Sequence, residues 1–153
     1  MSIGHLINGL LQFFNIIIVS DYNKGFLSEE TLIQIGKLSK LSIIDTKKII
    51  TENLINSFTF IKLNEHEYQR NKNISDKNKD KFIITLGMNG AKHNDIVFPS
   101  PSPKQTIDVS GAGDTFTAFF SLKYYETKNI SESITFANQM ASIVVSKRGV
   151  ATP

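Results

Sequence analysis

Asn15-Ile16-Ile17-Ile18-Val19-Ser20-Asp21 is an unbroken β-branched run closed by a hydroxyl and an acid. Its apolar residues do not alternate with polar ones, so both faces of the strand it predicts need cover. That is the pattern of a buried parallel strand with polar groups at its carboxyl edge. Downstream, Ser28 followed by Glu29 and Glu30 starts a helix, with a hydroxyl cap and acids in the first turn. It is expected to reach about Lys40, with Leu32, Ile35 and Leu38 inward. Leu41–Asp45 reads as a second strand, and a short helix near Thr51–Asn56 precedes a third at Thr59–Leu63. Asn64 is placed to cap a helix through about Arg70. Asn71–Lys81 is nearly all Lys, Asn, Asp and Ser and reads as a solvated loop. Phe82–Leu86 is a fourth strand, closed by the turn-like Gly87-Met88-Asn89-Gly90. Asp95–Phe98 is expected as a short strand, and Pro99, Pro101 and Pro103 forbid regular structure after it. A helix to about Glu126 carries Phe116, Phe119, Phe120 and Lys123 on neighbouring turns. Ser131 is expected to cap a last helix, with Ile134, Ala137, Ala141 and Val144 at seam spacing. Strands alternating with helices predict an α/β fold with a mainly parallel sheet between helices.

The 153 residues suit one domain, and 41% hydrophobic residues are too many for a disordered chain. A net charge of +3, spread along the chain, excludes a nucleic-acid stripe. The absence of cysteine excludes disulfides, thiolate zinc sites and a thiol nucleophile. His5, His66 and His93 are scattered and set no metal-ligand spacing. Gln12 and Asn15 interrupt the apolar stretch from Leu10 to Val19, and it carries neither a basic lead nor a small-residue cleavage site. A cytoplasmic protein without a membrane span or leader is expected.

The sharpest local pattern is Asp108-Val109-Ser110-Gly111-Ala112-Gly113-Asp114. Its glycines let the backbone turn with little obstruction just where a helix begins. Free N–H groups at that helix start, with the positive end of its dipole, form an anion hole suited to a phosphate. Asp114 in the first turn is placed to take a proton from an attacking hydroxyl. The same residues also make an ordinary strand-to-helix turn with an acidic first turn, and spacing leaves both readings open. Asp21, Asp45, Asn64, Thr85 and Asp108 fall at or just beyond strand ends, the edge where parallel sheets bind ligands. No G-x-G-x-x-G follows an early strand, which argues against a dinucleotide-binding dehydrogenase.

Asp108–Asp114 resembles the D-[TV]-x-G-A-G-D signature of the PfkB/ribokinase family of carbohydrate kinases. Other segments agree in the same order. Val19–Gly25 resembles the S-D-Y-x-K-G segment of that family's heptose-7-phosphate kinase branch, and Asp45-Thr46-Lys47 its D-P-K. Asn64-Glu65-His66-Glu67 is similar to N-x-x-E, Thr85-Leu86-Gly87 to T-[LR]-G, and Phe136–Gly149 to the family's A-N ending.

The resemblance implies a three-layer ribokinase-like fold and transfer of the ATP γ-phosphate to a sugar hydroxyl. In this branch the acceptor is D-glycero-D-manno-heptose 7-phosphate, on the route to ADP-heptose and lipopolysaccharide. It implies Asp114 as catalytic base and Gly111, Ala112 and Gly113 as the anion hole. Asn64 and Glu67 would serve the ATP phosphates, Glu67 by holding Mg²⁺ through water. Thr85 and Gly87 would line the nucleotide cleft, Asn138 would lie by the adenine, and Asp108 would support the loop or a cation. Lys24 and Lys47 stand within reach of a sugar phosphate or are simply solvated.

The match covers the C-terminal, ATP-binding half of the family's fold, so residues 1–153 read as a partial kinase domain. The glycine-rich sugar-binding segments and the lid have no counterpart here, and Asn71–Lys81 stands where the family carries a helix. Two outcomes follow. One is a working kinase completed by a separate N-terminal half or a second copy. The other is a non-catalytic remnant that binds nucleotide or a partner.

Overall fold

The structure, a computed structural model, describes residues 14–101 and 111–145. The chain forms two compact units, residues 1–82 and 83–153.

The first unit is built on β1 (Ile16–Asp21), β2 (Leu41–Thr46) and β3 (Phe60–Asn64), all parallel. Ile16 pairs with Leu41, Asp21 with Thr46, and Asp45 with Lys62. Registered partners share a face. One face therefore carries Ile17 and Val19 beside Ile44 and Ile61, all buried. The other carries Ile43 and Phe60, also buried, but on β1 the same face leaves Ile18 44% exposed. β2 and β3 are thus buried on both faces, whereas β1, the strand for which the opening run predicts such cover, is covered on one side only.

Two helices link these strands. α1 (Glu29–Gly36) is capped as expected, Ser28 Oγ accepting from the Thr31 N–H at 3.2 Å. It stops at Gly36 rather than near Lys40, leaving Leu38 beyond its end. There the chain passes so close to its neighbour that a Cβ on Gly36 would lie 2.7 Å from the Ser57 carbonyl oxygen. α2 (Glu52–Ser57) is capped by Thr51, whose hydroxyl also donates to Glu29 Oε1 at 2.6 Å and ties the two helix starts together.

After β3 come α3 (Glu65–Arg70), α4 (Lys72–Lys77) and a 3₁₀ turn at Lys79–Lys81. The expected solvated loop at Asn71–Lys81 is thus helical. Its polar composition hides two buried side chains, Asn71 and Ser75. Asn71 Oδ1 accepts the Ile50 N–H at 2.7 Å, and Nδ2 donates to the Glu67 carbonyl at 2.9 Å. Satisfying those backbone groups fixes the corner from which α4 starts.

The second unit begins with β4 (Phe82–Thr85) and a 3₁₀ turn at Gly87–Asn89. β5 (Ala91–His93) and β6 (Ile96–Phe98) follow, β5 pairing antiparallel with both β4 and β6. β5 was not expected, and Asp95 belongs to a turn rather than to β6. Asn94 and Asp95, at φ 48° and 65°, form the two-residue hairpin turn between them. α5 (Ala112–Thr127) and α6 (Ile130–Val145) complete the unit. Phe116, Phe120 and Tyr124 stack along α5, with centroids 6.3 and 5.8 Å apart. Phe119 meets Phe136 of α6 edge-on at 5.8 Å. On α6, Ile134, Ala137 and Val144 are buried, as the seam predicts, while its fourth member, Ala141, is half-buried. Its cap is Asn129, not Ser131: Asn129 Oδ1 accepts the Glu132 N–H at 3.1 Å, while the Ser131 carbonyl accepts from Thr135. Among the described residues no helix is long and apolar enough to cross a membrane.

Candidate functional site

In the first unit the carboxyl ends of β1, β2 and β3 form one polar rim. Asp21 is 6% exposed; its Oδ2 accepts the Thr46 hydroxyl at 2.9 Å and its Oδ1 the Asn23 N–H at 3.0 Å. Asp45 is held by Lys62 across the ladder at 2.7 Å, with both side chains largely buried. Such a pair offsets the cost of desolvating its two charges only while both partners remain.

Asn64 ends β3 and caps α3. Its Oδ1 accepts the Glu67 N–H at 2.9 Å, and Glu67 Oε2 accepts the Asn64 N–H at 2.8 Å. This capping box satisfies two helix-start donors and brings the two residues together. Glu67 is buried by it, while Asn64 remains exposed.

The magnesium that the resemblance implies can be tested against that carboxylate. Among the described residues no further hydrogen bond reaches Glu67 Oε1 and no buried side-chain oxygen lacks a partner, so Oε1 keeps access to water. Among the described residues no three carboxylate or imidazole groups gather into a metal cluster. One open carboxylate oxygen suits an ion that retains its hydration shell and takes its other ligands from phosphates.

In the second unit Gly111 precedes α5 with φ 78° and ψ −6°, a left-handed conformation that favours glycine. Among the described residues no side chain caps this helix, and its first internal bond runs from the Thr115 N–H to the Gly111 carbonyl at 2.8 Å. The N–H groups of Ala112, Gly113 and Asp114 therefore lack intrahelical acceptors. Asp114 is exposed in the same turn. The arrangement offers amide donors, the positive end of a 16-residue helix and an open carboxylate within one turn.

The other candidate residues are placed as follows. Thr85 ends β4, and Gly87 is exposed in the 3₁₀ turn after it. Asn138 is 5% exposed on α6, where its Nδ2 donates to the Phe98 carbonyl at 2.8 Å. That bond secures α6 to β6. Asp108 lies outside the described residues, as do Val109 and Ser110. Sequence reasoning missed Lys62 and Asn71. Asp21 was legible only as a strand-end acid; its place as the centre of a network needed the β1–β2 register.

Residues 18–153 match the family described as pfkB family carbohydrate kinase. The bifunctional protein HldE of Sulfurimonas denitrificans is 32% identical over 178 residues, covering 99% of this chain and 37% of that protein. The HldE protein of Helicobacter pylori is 32% identical over 158 residues, covering 88% and 34%. The chain thus spans about a third of the length of these relatives. The solved structure of Arabidopsis thaliana ribokinase complexed with ribose and ATP has a TM-score of 0.77 at 23% identity, over 98% of this chain and 55% of that one. Thermotoga maritima ribokinase gives 0.74 at 22% identity, over 94% and 54%. The fold is therefore the ribokinase-like α/β fold, over about half the length of those structures. With the match extending over all but the first 17 residues, the chain belongs to the pfkB family of carbohydrate kinases.

Proposed function

We propose that residues 1–153 are the ATP-binding part of a sugar kinase whose acceptor is D-glycero-D-manno-heptose 7-phosphate, supplying ADP-heptose for lipopolysaccharide in the cytoplasm. The observation that carries the kinase reading is the start of α5: three amides without intrahelical acceptors, with the Asp114 carboxylate among them. The heptose acceptor is supported by the likeness of Val19–Gly25 and Asp45–Lys47 to that branch and by the HldE relatives.

In this reading the N–H groups at Gly111, Ala112 and Gly113, of which the last two are among those three amides, hold the terminal phosphoryl group of ATP, and the helix dipole offsets its growing charge. Asp114 accepts the proton of the sugar hydroxyl as the new O–P bond forms and the bond to ADP breaks. Thr85 and Gly87 line the nucleotide cleft, Asn138 steadies the adenine side, and Asp108 supports the loop. Asn64 fixes the orientation of Glu67, whose Oε1 holds the water shell of Mg²⁺. Magnesium, when bound, neutralises charge on the phosphate oxygens.

An ADP-release assay with the heptose phosphate and MgATP tests this reading. Asp114→Asn is expected to lower turnover by about 10²–10⁴-fold with ATP affinity kept. Turnover unchanged by that substitution removes Asp114 as the base.

A second reading is favoured by the bare face of β1. The chain would then bind nucleotide, and a separate N-terminal half or a second copy, without turnover of its own. Calorimetry showing ATP binding, with no ADP release until a second half is added, is its expected signature.

A further inference from the structure

Asn71 has no part in the roles assigned above, yet its side chain is buried, 4% exposed, and spans two segments of the chain. Oδ1 accepts the N–H of Ile50, in the segment after β2, and Nδ2 donates to the Glu67 carbonyl in α3. The Asn71 backbone N–H adds bonds to the Glu67 carbonyl at 3.2 Å and the Tyr68 carbonyl at 2.9 Å. An amide carries an acceptor and donors on one flat group, which is what a bridge from an N–H to a carbonyl requires. Buried, it is tolerated only because these bonds offset its desolvation.

Glu67 is thereby gripped from both ends of α3. At the start, Asn64 Oδ1 accepts its N–H and the Asn64 N–H donates to its Oε2; at the finish, Asn71 binds its carbonyl. With only six residues, α3 is too short to hold its shape alone, so these outside bonds decide how it sits. The two grips have different roots. Asn64 belongs to β3. Asn71 leans on Ile50, whose segment is itself braced. The Lys47 N–H donates to the Asp21 carbonyl, the Lys48 N–H donates to Thr46 Oγ1, and Thr51 both caps α2 and bonds Glu29. Held at one end, α3 could roll about its axis; held at both, it aims the open Glu67 Oε1 in one direction. Groups that orient a metal's ligands without touching the metal commonly govern its affinity.

We propose that Asn71 is a positioning residue for the magnesium-dependent part of ATP binding: by bridging Ile50 to Glu67 it sets the direction of Glu67 Oε1 relative to the segment after β2. This rests on the reading of Glu67 as the carboxylate that serves Mg²⁺ through water.

Calorimetry on the full chain, with ATP titrated once in excess Mg²⁺ and once in EDTA, reads the magnesium-dependent share directly. MgATP is expected to bind more tightly than metal-free ATP. Asn71→Leu loses both arms of the bridge. Asn71→Ser keeps a hydroxyl for the carbonyl four residues back, as Ser75 does towards Asn71, and loses only the reach to Ile50. Both variants should weaken MgATP binding about tenfold and leave the EDTA value unchanged. Asn78→Leu is the control. Its Nδ2 also donates four residues back, to the Ile74 carbonyl at 2.9 Å, so its loss should lower the urea midpoint and keep the ratio of the two affinities. Adding Asn71→Ser to Glu67→Gln should bring no further loss. Without nucleotide, hydrogen exchange at the Asn64 amide, whose acceptor is Glu67 Oε2, should quicken in Asn71→Ser while the β1–β2 ladder stays protected.

A ratio unchanged in Asn71→Ser, an equal loss with and without Mg²⁺, or a loss that adds to that of Glu67→Gln would overturn the proposal. If Asn71→Leu does not fold, Asn71→Ser decides alone. A ratio lowered by Glu67→Gln but not by Asn71→Ser removes the part of Asn71 only. A chain that binds no ATP, or a ratio indifferent to Glu67→Gln, removes the reading of Glu67 and the proposal with it.

Discussion

Two glycines show how differently one residue type can be required. Gly111 has φ 78°, yet nothing lies within 4 Å of where its Cβ would be. Gly90 has φ 92°, and a Cβ there would lie 2.1 Å from the Phe98 carbonyl oxygen and 2.7 Å from the Ser100 nitrogen. Gly111→Ala therefore meets only the left-handed penalty, about 1–2 kcal/mol. Gly90→Ala adds a collision with backbone that cannot step aside. Urea denaturation should place the Gly90→Ala midpoint below that of Gly111→Ala, and the reverse order would contradict these local geometries. Lys62 provides a third case. Lys62→Met leaves the Asp45 carboxylate without its partner and should cost about 3 kcal/mol, read as a lower denaturation midpoint with an unchanged slope.

At the scale of elements, the capping box at α3 and the amide bond from α6 to β6 make separable contributions. Asn64→Ala removes the acceptor of the Glu67 N–H and should destabilise by about 1 kcal/mol. Asn138→Leu leaves the Phe98 carbonyl without this donor and should cost about 1–3 kcal/mol, with faster hydrogen exchange in β6 and α6. What could be read from the chain follows the range of each interaction. Asn64-x-x-Glu67 is a local pattern, so the start of α3 was legible. The Gly111 turn was legible because only glycine takes that conformation freely. α4 was not, since Ile74 is its one apolar residue and its anchor, Asn71, acts on Ile50, 21 positions away. β5 was missed because Ala91-Lys92-His93 shows no apolar run, and its pairing depends on the turns around it. The Asp45–Lys62 pair depends on strand register, which composition does not encode.

For the molecule as a whole, the outward side of β1 has the widest reach. Ile18 is 44% exposed on a strand whose pattern calls for cover on both faces. Edge strands with apolar surface invite association. The purified chain is expected to self-associate with rising concentration, and Ile18→Lys should shift it towards monomer in sedimentation velocity. Equal behaviour of the two proteins would show that β1 is not the sticky surface. The order of the first three strands has a different outcome, one of timing. Asp21 meets Thr46 across 25 positions and Asp45 meets Lys62 across 17, each join spanning a single short helix. Short loops close at low entropic cost. Once residue 64 has left the ribosome, every member of this ladder is outside the tunnel, and it can zip up while the remaining residues are still being translated.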